Sequence, residues 1–202
     1  MKLLFVIDMQ NDFLTGKLPI PNEVFPNLIP NVQRKIQFYR NMNDNCCNCP
    51  THIIYTQDTH YKDYLETEEG KKLPIPHCIK DTAGWCIDER VFPQKKDTVI
   101  QKKSFGKEWG QEFIFAPLIG VEPFFLANKD IKYSDITDIE IIGVCTDFCV
   151  LANAFTLKAL FPNVPITIDA DCCAGSTLEW HEKALDILEH CHFNVINRTK
   201  GE

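Results

Sequence analysis

The chain alternates between short apolar runs and longer stretches with helical spacing. KLLFVI (2–7) is unbroken, the pattern of a strand buried on both faces. Five further strand-like runs follow: HIIYTQ (52–57), DTVIQK (97–102), DIEIIGV (138–144), VPITID (164–169) and FNVIN (193–197). Helical spacing runs from about Asn27 to Met42 through Leu28, Val32, Ile36 and Tyr39, despite Pro30 near its start. It recurs from Phe148 to Leu160 and from Thr177 to His190, where Ser176 or Thr177 can cap and Leu178, Leu185 and Leu188 face inward. Strands alternating with helices predict an α/β fold, a three-layer α/β/α sandwich around a mostly parallel six-stranded sheet. No repeat or low-complexity linker divides the chain, so a single domain over residues 1–202 is expected.

Sheets of this kind bind ligands beyond the carboxyl ends of their strands. That directs attention to Asp8, Asp58, Lys102 and the turn from Cys145 to Cys149. In GVCTDFCVLANAF (143–155) a helix starting near Thr146-Asp147 puts Cys149 in its first turn. Unpaired N–H groups and the helix dipole there favour a thiolate, and a lowered thiol pKa suits a nucleophile. Cys145 sits at the strand end, where its backbone N–H can point into the same site. On local pattern alone, both cysteines read equally well as small core residues. Asp8 in VIDMQNDF also reads as a turn carboxylate, and Lys102 as a solvated surface lysine. Together, however, they form a coherent set. The carboxylate shuttles protons, the ammonium favours the thiolate, the thiol attacks, and backbone N–H groups hold an oxyanion.

A second constellation is Asp58-Thr59-His60, followed by His77 in PHC. Alternation along an extended segment puts Asp58 and His60 on one face. With Glu66, Glu68 and Glu69 between them as further oxygen donors, these groups suit zinc, manganese or iron. The competing reading is a turn carboxylate and two surface histidines.

Composition narrows the function classes. The chain is 45% hydrophobic and 24% charged, ordinary values for a globular protein. A net charge of −7 argues against broad attraction to nucleic acid or an anionic membrane. No apolar run approaches the roughly 20 residues that span a bilayer. The amino-terminal run stops at Asp8 without a small-residue cleavage site and reads as a strand rather than a signal peptide, so a cytoplasmic protein is expected. The ten cysteines are then expected to be reduced and mostly buried. Cys46, Cys47 and Cys49 contain one C-x-x-C spacing with no second pair, and read as a loop.

The ordered set FVIDMQNDF, TQDTH, LPIPHC, VIQKKSFG, GVCTDFCV and DADCCAGS resembles the isochorismatase-like cysteine hydrolases, the superfamily that includes nicotinamidases. The resemblance covers nearly the whole chain. It implies a triad of Asp8 as general base, Lys102 as its cationic partner and Cys149 as nucleophile. Lys103 would begin the K-x-x-F-G spacing one residue late. It also implies a cis peptide between Val144 and Cys145, with the N–H groups of Cys145 and Cys149 forming the oxyanion hole. Asp58, His60 and His77 match ligands of a divalent metal, zinc first and manganese or iron as alternatives, that engages a pyridine nitrogen. Glu69, or Glu68 beside it, matches a fourth ligand in some members, and Phe13 matches a residue packed against the substrate ring. Two positions depart from the nicotinamidase pattern: Pro74 replaces an aromatic residue before PHC, and Thr59 occupies the often aromatic middle of D-x-H. Trp85 is a substitute candidate for ring stacking.

The expected activity is hydrolysis of a small carboxamide, nicotinamide first, through a Cys149 thioester, by a homo-oligomer. Another amide or ureido hydrolase, or a vinyl-ether hydrolase of the isochorismatase type, is the alternative enzyme. A thiol-rich metal-binding or redox-sensing protein is the alternative outside enzymes.

Overall fold

The computed structural model describes residues 1–45, 50–107 and 135–198. The cluster Cys46, Cys47 and Cys49 lies outside the described residues. Six strands form one sheet: β1 (Lys2–Ile7), β2 (Thr51–Asp58), β3 (Thr98–Lys102), β4 (Asp138–Val144), β5 (Ile166–Ala174) and β6 (Asn194–Ile196). Their order is β3-β2-β1-β4-β5-β6, and every pairing is parallel. Parallel neighbours require crossovers, and the helices supply them. Among the described residues they are α1 (Asn11–Leu14), α2 (Leu28–Asn45), α3 (Glu68–Lys72), α4 (Leu151–Leu160) and α5 (Leu178–His190).

The alternation of side chains along each strand builds the three layers. Leu3, Phe5, Ile7, Ile141 and Ile168 face one way, against Val150, Ala154 and Leu157 at α4 and Leu185 and Leu188 of α5. Leu4, Val6, Tyr55, Ile142 and Val144 face the other, against Leu28, Val32, Ile36 and Tyr39 of α2. Thr177 caps α5, its hydroxyl accepting the Trp180 N–H at 3.2 Å, so of the two cap candidates the threonine serves.

Two expectations need correction. Leu178 was expected to face inward but is 53% exposed, because at the first position of α5 it lies outside the cluster that takes in Leu185 and Leu188. The fifth strand was expected to end at Asp169 but continues to Ala174. Its polar letters mislead. Asp169 is buried because Lys35 of α2 pairs with it at 2.8 Å, while Asp171 is exposed to solvent.

Gly143 of β4 is required where it stands. It has φ +117, and a Cβ there would meet the Ile7 carbonyl oxygen at 2.2 Å. β1 and β4 therefore approach closely just where both strands end, beside Asp8 and Cys145.

Candidate active site

Strand register assembles the site. Asp58 and Lys102 are the last residues of β2 and β3 and are paired in register. Asp8 follows β1 immediately, with φ 47, a left-handed conformation that aspartate tolerates better than most residues. All three side chains are essentially buried. Lys102 Nζ lies 2.7 Å from Asp8 Oδ2 and 3.3 Å from Asp58 Oδ1. It also donates to the Ser104 carbonyl at 2.9 Å and to Cys149 Sγ at 3.4 Å. The neighbouring Lys103 instead turns outward, its ammonium 5.3 Å above the Tyr61 ring.

The cis bond that the resemblance implies is present, while the turn bearing Cys149 is not an ordinary helix start. The peptide between Val144 and Cys145 is cis. Residues Thr146–Val150 then form a π-helical turn rather than the start of an α-helix, with the Val150 N–H donating to the Cys145 carbonyl at 3.0 Å. Asn153, fully buried in α4, fixes this turn by donating to the carbonyls of Cys149 at 2.7 Å and Phe105 at 3.0 Å. Asp147 accepts the N–H and hydroxyl of Ser176, tying the turn to the end of β5.

The resting thiol is not depressed, contrary to the expectation from a helix amino terminus. Burial pushes the Cys149 thiol well up; Lys102 opposes this, while Asp8 and Asp58 add to it. Burial also raises the Asp8 carboxyl, against the pull of Lys102. Burial works against the Lys102 charge too, but Asp8, Cys149 and Asp58 together hold it firmly protonated. Burial thus favours the thiol form of Cys149 and makes the Asp8 carboxylate a stronger base, an arrangement suited to proton transfer as attack occurs.

Asp58 is shared with a second cluster. Asp58 Oδ2 lies 3.0 Å from His60 Nε2 and 3.6 Å from His77 Nε2. Glu69 Oε1 is 3.6 and 3.7 Å from the same two nitrogens. Glu68 points away and pairs with Lys71 at 2.7 Å, leaving Glu69 as the carboxylate at the cluster. Burial would raise the Asp58 carboxyl, but Lys102 and the adjacent imidazoles of His60 and His77 hold it far below the usual range.

These residues fit a divalent metal. The ligand atoms of Asp58, His60 and His77 lie within 4.8 Å of one another. His60 Nε2 is buried with no hydrogen-bond partner, an orphan that a metal would satisfy. The Ile75 carbonyl lies 2.9 Å from His77 Nδ1, so a proton on that nitrogen turns the Nε2 lone pair toward the cluster. Tyr64, which the sequence reading did not single out, packs edge-on against both imidazoles at 4.7 and 5.1 Å and anchors its hydroxyl on the Leu73 carbonyl.

A cavity of about 420 Å³ opens onto Cys149, Asp58, His77 and Glu69. Its walls are mainly apolar: Phe13, Leu18, Ile20, Leu73, Phe105 and Phe148. Phe13 stands 5.6 Å from the His77 ring, within reach of a bound molecule. Trp85 does not line the cavity. Its indole N–H donates to Thr59 Oγ1 at 2.9 Å and its carbonyl takes the side chains of Gln10 and Gln57, so it braces the loop behind Asp58. Phe105 of the K-x-x-F-G motif and Phe148 at the head of a helical window were not read as cavity walls; Phe105 lies three residues after Lys102 and Phe148 directly before Cys149, and that adjacency was the available signal.

A parallel sheet carrying an acid, an ammonium and a thiol at its carboxyl edge belongs with the α/β hydrolases of the isochorismatase type in fold. The Isochorismatase domain model matches residues 2–116 and 127–200, and the chain belongs to that family. It is 24% identical to the nicotinamidase of Saccharomyces cerevisiae over 98% of this chain and 100% of the yeast enzyme. A probable inactive nicotinamidase of Arabidopsis thaliana is 26% identical over 98% of this chain and 92% of its own length. The zinc complex of Pyrococcus horikoshii pyrazinamidase superposes with a TM-score of 0.70 at 25% identity, covering 98% of this chain and 99% of that one. The chain is therefore a nicotinamidase-related hydrolase of the isochorismatase family.

Proposed function

We propose that this protein is an amidohydrolase that cleaves a small aromatic carboxamide, nicotinamide first, to the acid and ammonia through a thioester on Cys149. One observation carries the reading: Asp8 and Lys102 converge behind Cys149, whose thiol lines a largely apolar cavity beside a metal-ligand cluster. A flat ring suits walls made by Phe13, Phe105 and Phe148, and such walls offer little to a ureido acid.

Asp8 takes the thiol proton as the Cys149 sulfur attacks the amide carbon. The backbone N–H groups of Cys145 and Cys149 hold the oxyanion. Collapse breaks the C–N bond, and the leaving nitrogen takes the proton from Asp8 and departs as ammonia. Asp8 then removes a proton from water as it attacks the thioester, and returns that proton to the departing sulfur. Lys102 keeps its charge throughout and stabilises both the carboxylate and the transient thiolate. Asp58, His60 and His77, with Glu69, would hold the divalent metal, which when bound supplies an electrophilic anchor for a ring nitrogen.

The test is ammonia release from a panel of nicotinamide, simple aliphatic amides and ureido acids, with Cys149→Ala as control. Turnover of a pyridine carboxamide that the variant abolishes supports the reading. Equal turnover by the variant removes Cys149 as nucleophile, and activity confined to ureido acids removes the substrate assignment.

A further inference from the structure

Thr56 makes an arrangement that the triad alone does not explain. It lies on β2, fully buried, two residues before Asp58 and so on the same face of the strand. Its hydroxyl accepts the backbone N–H of Asp8 at 3.1 Å and donates to Asp8 Oδ1 at 2.6 Å. Both bonds go to one residue just past the end of the neighbouring strand. They hold its left-handed backbone and its carboxylate together.

A hydroxyl has a single proton, and here Oδ1 takes it. Oδ1 is thereby kept as an acceptor whether Asp8 is ionised or protonated. A proton arriving at Asp8 must settle on Oδ2. That oxygen is buried, takes no aligned hydrogen bond, and lies 2.7 Å from Lys102 Nζ, which in turn touches Cys149 Sγ. Nothing intrinsic to aspartate would make this choice, because the terminal torsion of its side chain is broad and nearly two-fold.

We propose that Thr56 is a positioning residue that dedicates Oδ2 of Asp8 to the proton relay with Cys149. The role rests on the cysteine-hydrolase reading above. In the step it serves, the S–H bond of Cys149 breaks, its proton forms an O–H bond on Oδ2, and the sulfur electron pair forms the bond to the amide carbon. Thr56 touches neither substrate nor sulfur. It acts through Asp8.

Thr56→Val keeps the shape and removes the hydroxyl, while Thr56→Ser keeps the hydroxyl. Two readouts are compared for each: the rate of Cys149 alkylation by iodoacetamide, followed by peptide mapping, and steady-state hydrolysis of the best carboxamide. Because general acid–base groups contribute roughly 100-fold or more, the valine variant is expected to lose about 100-fold in kcat with KM within about twofold. Its alkylation should slow by about tenfold, and serine should restore both rates to within about threefold of the native values. If valine prevents folding, Thr56→Ala against Thr56→Ser makes the same comparison. Native rates in the variant lacking the hydroxyl, or a serine variant as slow as it, would overturn the proposal. Slowed Cys149 alkylation in a protein whose native form releases no ammonia would sink the hydrolase reading and leave the Thr56 role standing.

Discussion

The Lys102 ammonium lies between two carboxylates, 2.7 Å from Asp8 and 3.3 Å from Asp58, and its burial leaves water little part in balancing them. It is the only lysine or arginine in contact with that pair among the described residues. Lys102→Met should therefore cost both activity and stability. Removing one partner from a buried ionic network typically costs about 3–5 kcal/mol, so the urea midpoint should fall sharply. Turnover should drop by about 100-fold or more as the thiolate loses its counter-charge. A methionine variant with native stability and turnover would show that the two acids need no cation.

The metal-ligand cluster makes a separate prediction. Zinc should bind the native protein, and His77→Ala should weaken binding by at least about tenfold, measured by calorimetry on chelator-treated protein. A metal that binds only the folded state also raises its apparent stability, so chelation should lower the melting temperature of native protein. Glu68→Ala should leave the affinity unchanged, because that carboxylate pairs with Lys71 rather than facing the cluster.

At the close approach of β1 and β4, Gly143→Ala is expected to destabilise strongly. The φ of +117 suits glycine alone, and the added carbon would lie 2.2 Å from the Ile7 carbonyl oxygen. Strain at such a conformation costs about 1–3 kcal/mol before the steric clash is added. Equilibrium urea unfolding reads this directly, and an unchanged midpoint would contradict it.

Along α5, exposure separates two leucines that a helical pattern groups together. Leu185 is fully buried while Leu178 is 53% exposed. Leu185→Ala should cost about 2–5 kcal/mol, and Leu178→Ala about 0.5 kcal/mol or less. Similar losses at both positions would mean that the amino end of the helix is packed after all.

Acid sensitivity should come partly from two histidines held neutral in the fold, His181 buried and His52 half-buried. Burial lowers His52 to about 4, against a weaker upward pull from Asp97, and burial also lowers His181, which hydrogen-bonds Thr146 at 2.8 Å. In the unfolded chain both titrate near about 6.5. Between about 6.5 and 4 the unfolded state therefore binds more protons, so stability is complete above that window and declines as pH falls through it. His52→Asn with His181→Asn should flatten the dependence of the urea midpoint on pH between 7 and 4. An equally steep dependence in the double variant would assign the loss to other groups.

The strands were legible because a parallel sheet buried on both faces needs apolar residues at nearly every position, and the runs show it. What the runs could not reveal was pairing between distant polar residues. Asp169 reads as a strand terminator until Lys35 of α2 is seen beside it, so β5 was read too short. At the site, the strand-end rule located Asp8, Asp58 and Lys102, since register alone brings strand ends together. Thr56 and Asn153 escaped notice because each acts through hydrogen bonds to other backbones and side chains, which leave no spacing in the sequence. The π turn was hidden for a similar reason: TDFCV has the apolar spacing of an ordinary helix, and the i→i+5 bond belongs to backbone geometry.

Lys102 is borne by β3, which pairs only with β2 among the described strands, whereas Asp8 follows the interior strand β1. A margin of a sheet frays more readily than its middle. Withdrawal of that margin would carry the ammonium away while the interior strands remained in place. Hydrolytic competence should then vanish at milder denaturant than ellipticity does, with the amide of Ile100 exchanging its hydrogen well ahead of that of Phe5.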